Sequence, residues 1–165
     1  MGARHLAAGK VDGVGQPTVQ SGKTSQAGID LIKQFEGCEL TAYYCPAGIL
    51  TIGYGHTGGD VKPGMTITPA EAEALLVKDL VRFEKSVTDL INVDLTQNEF
   101  DATVSFTYNV GSGALQDSTF RRRINNGENK AQCFREEFPR WVNGANGPLP
   151  GLVRRRDAEV ALATS

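Results

Sequence analysis

The stretch 40–65 constrains the fold more than any other part of the chain, because it is too small to be stable alone. It is rich in Thr, Tyr, Ile, Gly and Pro, and its pattern predicts short strands at 42–44 and 50–52, joined by a turn at 46–48. A β unit of about 25 residues needs other elements to pack against. We therefore predict an α+β protein, in which a small N-terminal β lobe packs on a larger helical lobe.

Helical patterns flank this stretch on both sides. A first helix is predicted over 25–35, with Ser25 as its cap and Gly37 as its end. A threonine followed three residues later by a glutamate marks two further helix starts, at Thr68 and Thr96. The helix after Thr96 has apolar residues on more than one face, which predicts the buried centre of the helical lobe. Shorter helices are predicted over 118–126, 129–141 and 152–163.

The length, charge and cysteine content limit the function classes. The 165 residues fit one globular domain, which we place at 25–165, after a flexible leader or linker at 1–24. No apolar stretch approaches the ~18 residues that cross a bilayer, so we expect no stable membrane span. The net charge of −2 provides no overall attraction to nucleic acid. Three cysteines without a Cys-x2-Cys pair, together with two histidines, predict neither a disulfide framework nor a metal site.

Two arginine triplets and several apolar residues allow predictions of which side chains are exposed and which are buried. The triplets, at 121–123 and 154–156, are predicted to be solvated helix faces, as runs of like charge usually are. One arginine of 154–156 is a candidate to turn inward and pair with Glu36, and the sequence leaves open which one. Apolar residues recurring at helical spacing are expected in the core, namely Phe134, Phe138 and Trp141, and Cys133 is expected beside them.

Candidate chemistry begins with Glu36, Cys45 and Thr51, which have the spacing Glu-x8-Cys-x5-Thr. Glu36 falls at the predicted end of the first helix, and the other two fall on the arms of the predicted hairpin. Cleavage of a glycosidic bond needs an acid and a second group that stabilises or attacks the positive centre. A helix end opposite a β turn can hold a sugar between two such groups. The spacing alone occurs by chance, so the prediction depends on the surrounding motifs.

Those motifs are similar to segments of the phage-type lysozymes, the endolysins of glycoside hydrolase family 24. The resemblance extends over roughly 26–162 without a large gap, and Cys45 stands where most of the family has aspartate. It implies a lysozyme-like fold with a substrate cleft between the lobes. The matching segments are Thr-Ile-Gly-Tyr-Gly-His-Thr at 51–57, the central helix at 96–111, Ser-Thr-Phe-Arg at 118–121, Trp141, and Gly-Leu-Val-Arg-Arg-Arg-Asp-Ala-Glu at 151–159.

The resemblance implies hydrolysis of the β-1,4 bond between N-acetylmuramic acid and N-acetylglucosamine in bacterial peptidoglycan, for host cell lysis. Such a protein is a monomer without a cofactor, made in the bacterial cytoplasm and acting on the cell wall; the delivery route stays open. Glu36 would be the general acid, Cys45 the second group, and Thr51 the residue that holds the water. Further positions correspond to substrate-binding residues of the family, namely Thr57, Tyr108, Thr119 and Asn143.

The cysteine leaves alternatives open. The residues around Cys45 resemble a subset of endolysins in which cysteine is native, which implies an active enzyme rather than a dead one. Secreted members of that subset are regulated through cysteine, so a Cys38–Cys45 disulfide acting as a redox lock is one hypothesis, and two unlinked thiols is the other. The alternative functions are a lytic transglycosylase, which needs only the acid, and a non-catalytic peptidoglycan-binding module.

Overall fold

The protein is described by a computed structural model over residues 22–165, which form helices and two small antiparallel sheets. Within this range no helix combines the length and the apolar character needed to cross a membrane. In chain order the elements are α1 (Gln26–Glu36), β1 (Glu39–Tyr44), β2 (Leu50–Gly53), β3 (His56–Thr57), α2 (Pro69–Leu90), α3 (Gln97–Val110), α4 (Ser112–Asp117), α5 (Thr119–Asn125), α6 (Lys130–Glu137), a 3₁₀ turn (Phe138–Arg140), β4 (Asn143–Gly144), β5 (Gly147–Pro148) and α7 (Pro150–Ala163).

The β lobe contains the two predicted strands and a third that sequence patterning missed. The strands lie in the order β1-β2-β3, and all neighbours are antiparallel. Strand β3 has only two residues, too few to show an alternating pattern. Ile52 and His56 pair across β2 and β3 and are both buried, while α2 packs against these two strands. The predicted dependence of this lobe on a helix is confirmed.

The helical lobe is built around α3. Residues 99–107 of this helix are all buried, so the predicted central helix is confirmed. Both capping boxes are present, since Thr68 and Thr96 each accept a bond from the backbone of the glutamate three residues later, and each glutamate side chain bonds back. Helix α4 and the β4–β5 hairpin were not predicted. Helix α7 begins two residues before its predicted start, because Pro150 occupies its first turn.

Residues 23 and 24, the last two of the predicted leader, are bonded to the helical lobe. The backbone N–H and the hydroxyl of Thr24 donate to Glu84 at 2.9 and 2.6 Å, and the Lys23 carbonyl accepts from Gln97 at 2.9 Å. These bonds to α2 and α3 attach 23–24 to the domain. Ser25 does occupy the cap position of α1, but its hydroxyl donates to Asp101 instead of capping the helix. Residues 1–21, which hold the rest of the predicted leader, lie outside the described residues.

The prediction of two solvated arginine faces is wrong. Arg155 and Arg156 are 3% and 1% exposed, because buried acidic partners compensate their charges. Arg123 is also largely shielded and contacts three glutamates. Only Arg122 and Arg154 of the six are exposed.

The predicted core positions are confirmed for Cys133, Phe134 and Phe138, which are fully buried. Trp141 is half-buried, and its ring packs edge-on against Phe106.

Candidate active site

Glu36 is the last residue of α1, and it lies between the two lobes. Gly37 follows with φ 70°, a value that favours glycine, so the chain turns there into the β lobe. The Glu36 side chain is 21% exposed, and its Oε2 accepts a hydrogen bond from Nη1 of Arg155 at 2.7 Å. The inward-turning arginine that the sequence left open is therefore Arg155. Its positive charge opposes the unfavourable effect of the helix end on a carboxylate.

Tyr108 of α3 also lies near Glu36. A Cβ at Gly55, in the turn between β2 and β3, would lie 3.6 Å from the Tyr108 hydroxyl and 3.8 Å from Oε1 of Glu36. The Tyr108 hydroxyl donates to the Tyr54 carbonyl at 2.7 Å. Burial and then the nearby negative charge of Glu36 raise the pKa of Tyr108 strongly, so this phenol stays a neutral donor. Of the predicted substrate-binding residues, Tyr108 is thus brought to the candidate acid.

Cys45 lies in the turn between β1 and β2, where its thiol is partly exposed. Its N–H donates to the Ile49 carbonyl at 2.9 Å, and its own carbonyl accepts from the Gly48 N–H at 2.7 Å, which closes the turn. Bonds from the backbone N–H groups of Ile49 and Ala47, followed by the Thr51 hydroxyl, lower the pKa of the Cys45 thiol. More of this cysteine is thiolate at neutral pH than of a free cysteine, so its side chain can carry a negative charge.

Thr51 and Thr57 are neighbours of Cys45 on the sheet. The register pairs Tyr43 with Thr51 and Thr51 with Thr57, which directs all three side chains to one face. Thr51 is buried and Thr57 is exposed. The Thr51 hydroxyl lies 2.9 Å from the Ile49 carbonyl and also within reach of the Cys45 thiol. Its single proton serves one of these acceptors at a time, leaving a lone pair for a water.

Thr119 and Asn143 are located elsewhere in the helical lobe. Thr119 begins α5, where its hydroxyl accepts a bond from Arg122 at 3.4 Å, and Asn143 is exposed in the β4–β5 hairpin. No hydrogen bond within 22–165 joins either residue to Glu36, Cys45 or Thr51. Their substrate-binding role therefore stays a prediction.

The cysteines are all free thiols among the described residues, and two of them flank β1. Glu39 at one end of β1 pairs with Gly53 of β2, and Tyr44 at the other end pairs with Leu50. Gly53 and Leu50 are three residues apart on β2, which corresponds to about 10 Å along the strand, so the two ends of β1 are separated by about that distance. Cys38 and Cys45 lie beyond those ends, whereas a disulfide needs Cα atoms within about 7 Å. The hypothesised Cys38–Cys45 disulfide is therefore incompatible with this conformation. The Cys38 thiol instead contacts the Tyr54 hydroxyl.

His56 anchors the β lobe to α2, a role that the sequence did not predict. Its Nδ1 lies 2.7 Å from Asp79 of α2 and its Nε2 lies 3.0 Å from Asp60. Burial disfavours the charged ring, but the two carboxylates outweigh this and raise the pKa of His56. The same pairing lowers the pKa of Asp60. The histidine of the Gly-Tyr-Gly-His motif thus fixes the position of β3 rather than facing the cleft.

A groove of about 640 Å³ opens beside Glu36 on the helical side. Helix α1 forms one wall and the first two turns of α7 form the other, with Asn109 of α3 between them. The exposed Arg154 lines it beside Arg155, whose charge is compensated by Glu36 and Glu159. Its lining residues are Gln34, Phe35, Glu36, Asn109, Leu149, Pro150, Gly151, Leu152, Arg154 and Arg155.

Comparison with solved structures supports the arrangement of the lobes. The muramidase domain of SpmX from Asticaccaulis excentricus superposes with a TM-score of 0.80 at 38% identity, covering 87% of this chain and 98% of that one. A P22 lysozyme mutant superposes with a TM-score of 0.77 at 37% identity, covering 87% of this chain and 99% of the other. Both superpositions extend over most of this chain.

Sequence comparison gives the same assignment. The chain is 46% identical over 143 residues to an endolysin of Bacillus phage PZA, covering 86% of this chain but 55% of that protein, so it spans about half the length of this relative. It is 42% identical over 145 residues to an endolysin of Acyrthosiphon pisum secondary endosymbiont phage 1, covering 86% of this chain and 97% of the other. Residues 33–159 match the profile of the phage lysozyme family. The chain belongs to the phage lysozyme family.

Proposed function

We propose that this protein is a phage endolysin with muramidase activity, which hydrolyses the β-1,4 bond between N-acetylmuramic acid and N-acetylglucosamine of peptidoglycan. One observation supports this above all: a carboxylic acid at a helix end, Glu36, stands at the junction of a helical lobe with a sheet that presents Cys45 and Thr51. The related muramidase domain and P22 lysozyme share this fold.

The three residues divide the reaction between them. Glu36 in its protonated form donates to the leaving oxygen of the glycosidic bond. Cys45, as a thiolate, stabilises the positive charge that develops on the sugar or polarises the attacking water. Thr51 holds that water through its hydroxyl. Thr57 shares the face of Thr51, and Tyr108 faces Glu36, so both are proposed to contact the saccharide, as are the more distant Thr119 and Asn143.

The decisive test is the exchange Glu36→Gln in the full chain. We expect lysis of peptidoglycan to fall about 10²–10⁴-fold, because a general acid contributes that much. The matched control is Glu39→Gln, an exposed glutamate three residues later at the start of β1. The control should keep full activity. If Glu36→Gln lyses cell walls as fast as its control, Glu36 is not the acid and the proposal fails.

A lytic transglycosylase is the second candidate, because the position of the second carboxylate holds a thiol and such enzymes need only an acid. The two reactions differ by one water in the product. Mass spectrometry of digested glycan strands should show reducing ends. A 1,6-anhydro end on the muramic acid would overturn hydrolysis, and binding without turnover by freshly reduced protein would indicate a binding module.

The partner and location follow from this substrate. We propose bacterial peptidoglycan as the partner of a monomer that does not bind nucleic acid, made in the bacterial cytoplasm and delivered to the cell wall by a route still to be found. Light scattering tests whether the protein is a monomer, and a nucleic-acid shift assay tests whether it binds nucleic acid.

We also propose that Cys38 and Cys45 form a redox lock in a second conformation. A disulfide between them requires β1 to leave its register with β2, which would remove the thiol of Cys45 and distort the position of Thr51. Protein treated with oxidant should lose lysis and regain it with reductant, whereas Cys38→Ser should keep its activity under both conditions. Oxidised protein that is fully active, or inactive protein that reductant does not rescue, contradicts the lock.

A further inference from the structure

A fully buried carboxylate lies behind the arginine that contacts Glu36. Glu159 of α7 is 0% exposed, and among residues 22–165 its carboxylate accepts hydrogen bonds from three side chains. Its Oε2 accepts from the Ser105 hydroxyl at 2.6 Å and from Nε of Arg155 at 3.2 Å, while its Oε1 accepts from Nη1 of Arg156 at 2.6 Å. A buried carboxylate with this many donors is held in one position.

Arg155 connects this carboxylate to the candidate acid. One side of its guanidinium bonds to Glu159, and Nη2 donates to the carbonyl and hydroxyl of Ser105 at 3.0 and 3.3 Å. The remaining nitrogen, Nη1, donates to Glu36 at 2.7 Å. Because the guanidinium is planar, the contacts to Glu159 and Ser105 determine where Nη1 points. Glu159 is therefore linked to Glu36 through one intervening side chain.

The charges in this cluster are balanced. Arg155 and Arg156 contribute two positive charges, and Glu159 and ionised Glu36 contribute two negative ones. When Glu36 is protonated, as a general acid must be, the cluster has one excess positive charge. Without the charge of Glu159 the excess would be two, and Glu36 would lose its proton more readily. Glu159 thus offsets one of the two positive charges beside Glu36.

We propose that Glu159 is a positioning residue of the reaction, which orients Arg155 towards Glu36 and balances its charge so that Glu36 can hold its proton. The proposal rests on the assignment of Glu36 as the acid. Other groups also face Glu36 and are unchanged by exchanges at Glu159. They are the Tyr108 hydroxyl of α3, Asn109 at the end of α3, Arg154 of α7 and, on its own helix, Lys33, which pairs with Glu73.

The test is the pH profile of lysis for Glu159→Gln in the full chain. Glutamine has a similar shape but removes the charge and replaces one acceptor oxygen with an N–H donor, so the orientation of Arg155 should weaken and the alkaline limb of the profile should move to lower pH by about one unit. Lysis should therefore fall about tenfold more at pH 8 than at pH 5. Equal loss at every pH would overturn the proposal, because it would indicate a purely structural role.

The matched control is Glu137→Gln. Glu137 is also buried and contacts Arg123 at 2.8 Å and Arg140 at 3.7 Å, but it belongs to a cluster on α5 and α6. Its exchange should lower stability without moving the alkaline limb. If Glu159→Gln does not fold, Glu159→Asp is measured instead. This exchange keeps the charge but shortens the side chain, so the rate of lysis should fall while the alkaline limb of the pH profile stays at the same pH. A shift of the alkaline limb in this variant would overturn the proposal.

The Glu36→Gln variant distinguishes a failure of the acid assignment from a failure of the positioning role of Glu159. Should Glu36→Gln remain lytic, the assignment of the acid fails and this inference fails with it. Should Glu36→Gln be inactive while the Glu159→Gln profile stays in place, only the positioning role is wrong.

Discussion

The two sides of the candidate site are held in place by different interactions. On the helical side, Glu36 contacts Arg155, whose charge is balanced by a carboxylate with no exposure at all. On the sheet side, Cys45 lies in a short turn, and its thiol is stabilised by the backbone of that same turn. The sheet itself is fixed to the helical lobe by His56 and Asp79.

The two sides differ in how far apart in sequence their stabilising contacts lie. The helical side depends on residues far apart in sequence, since Glu36 and Arg155 are 119 positions apart. The sheet side depends on neighbours within six positions of Cys45. Loss of a long-range contact should therefore destabilise the whole domain, while a change at Cys45 should alter chemistry and leave folding intact.

The largest effect is expected for Arg155→Met. This exchange leaves the buried Glu159 with one fewer charged partner and removes the contact to Glu36, so the free energy of unfolding should fall by about 3–5 kcal/mol. Urea denaturation measures it. The control Arg154→Met changes the exposed neighbour on the same helix and should cost less than about 1 kcal/mol. Equal effects for the two variants would mean that the buried cluster does not stabilise the helical side.

The attachment of the sheet should depend on pH. The pKa of His56 is raised above its ordinary value of 6.5, so its charged form contributes stability that is complete below that pH and is lost as pH rises through the folded-state value. His56→Asn should cost about 3 kcal/mol at pH 5.5 and about 1 kcal/mol at pH 9. Thermal unfolding of both proteins across this range measures the difference. A cost that stays constant with pH would show that the His56 charge has no part in the attachment.

Exchanges at Cys45 should change activity rather than stability. Cys45→Asp should remain within about tenfold of the unchanged protein, since it restores an anion, whereas Cys45→Ser should lose about 10²-fold, because a hydroxyl stays neutral. Turbidity assays in reductant measure both. Cys38→Ser is the control and should be fully active. High activity of Cys45→Ser would show that no negative charge is needed at this position.

The smallest effect is expected for Tyr108→Phe. The change removes the 2.7 Å bond to the Tyr54 carbonyl, which joins α3 to the turn after β2, and should lower the free energy of unfolding by about 1 kcal/mol. Denaturant titration gives this value. Activity should fall as well, because Tyr108 contacts the space beside Glu36. An unchanged stability would show that this bond does not help to join the two sides.

Local patterns in the sequence were sufficient for most of the elements. The capping boxes at Thr68 and Thr96, the stop at Gly37 and the buried helix α3 all depend on residues close together in the chain. Sequence reasoning missed β3 and α4 because they are too short to show a period. The pairing of Glu159 could have been predicted from the sequence, because it lies three positions after Arg156 and four after Arg155 on the same helix face.

The sequence alone determined the fold class, the family resemblance and the candidate residues Glu36, Cys45 and Thr51, because these follow from short motifs and their order. Only the tertiary structure decided that Arg155 is the arginine beside Glu36, that its charge is balanced by Glu159, and that Cys38 lies too far from Cys45 for a disulfide in this conformation. The physical reason is burial. Whether a charged side chain faces solvent or a buried partner depends on how distant elements pack, and local spacing does not encode that packing.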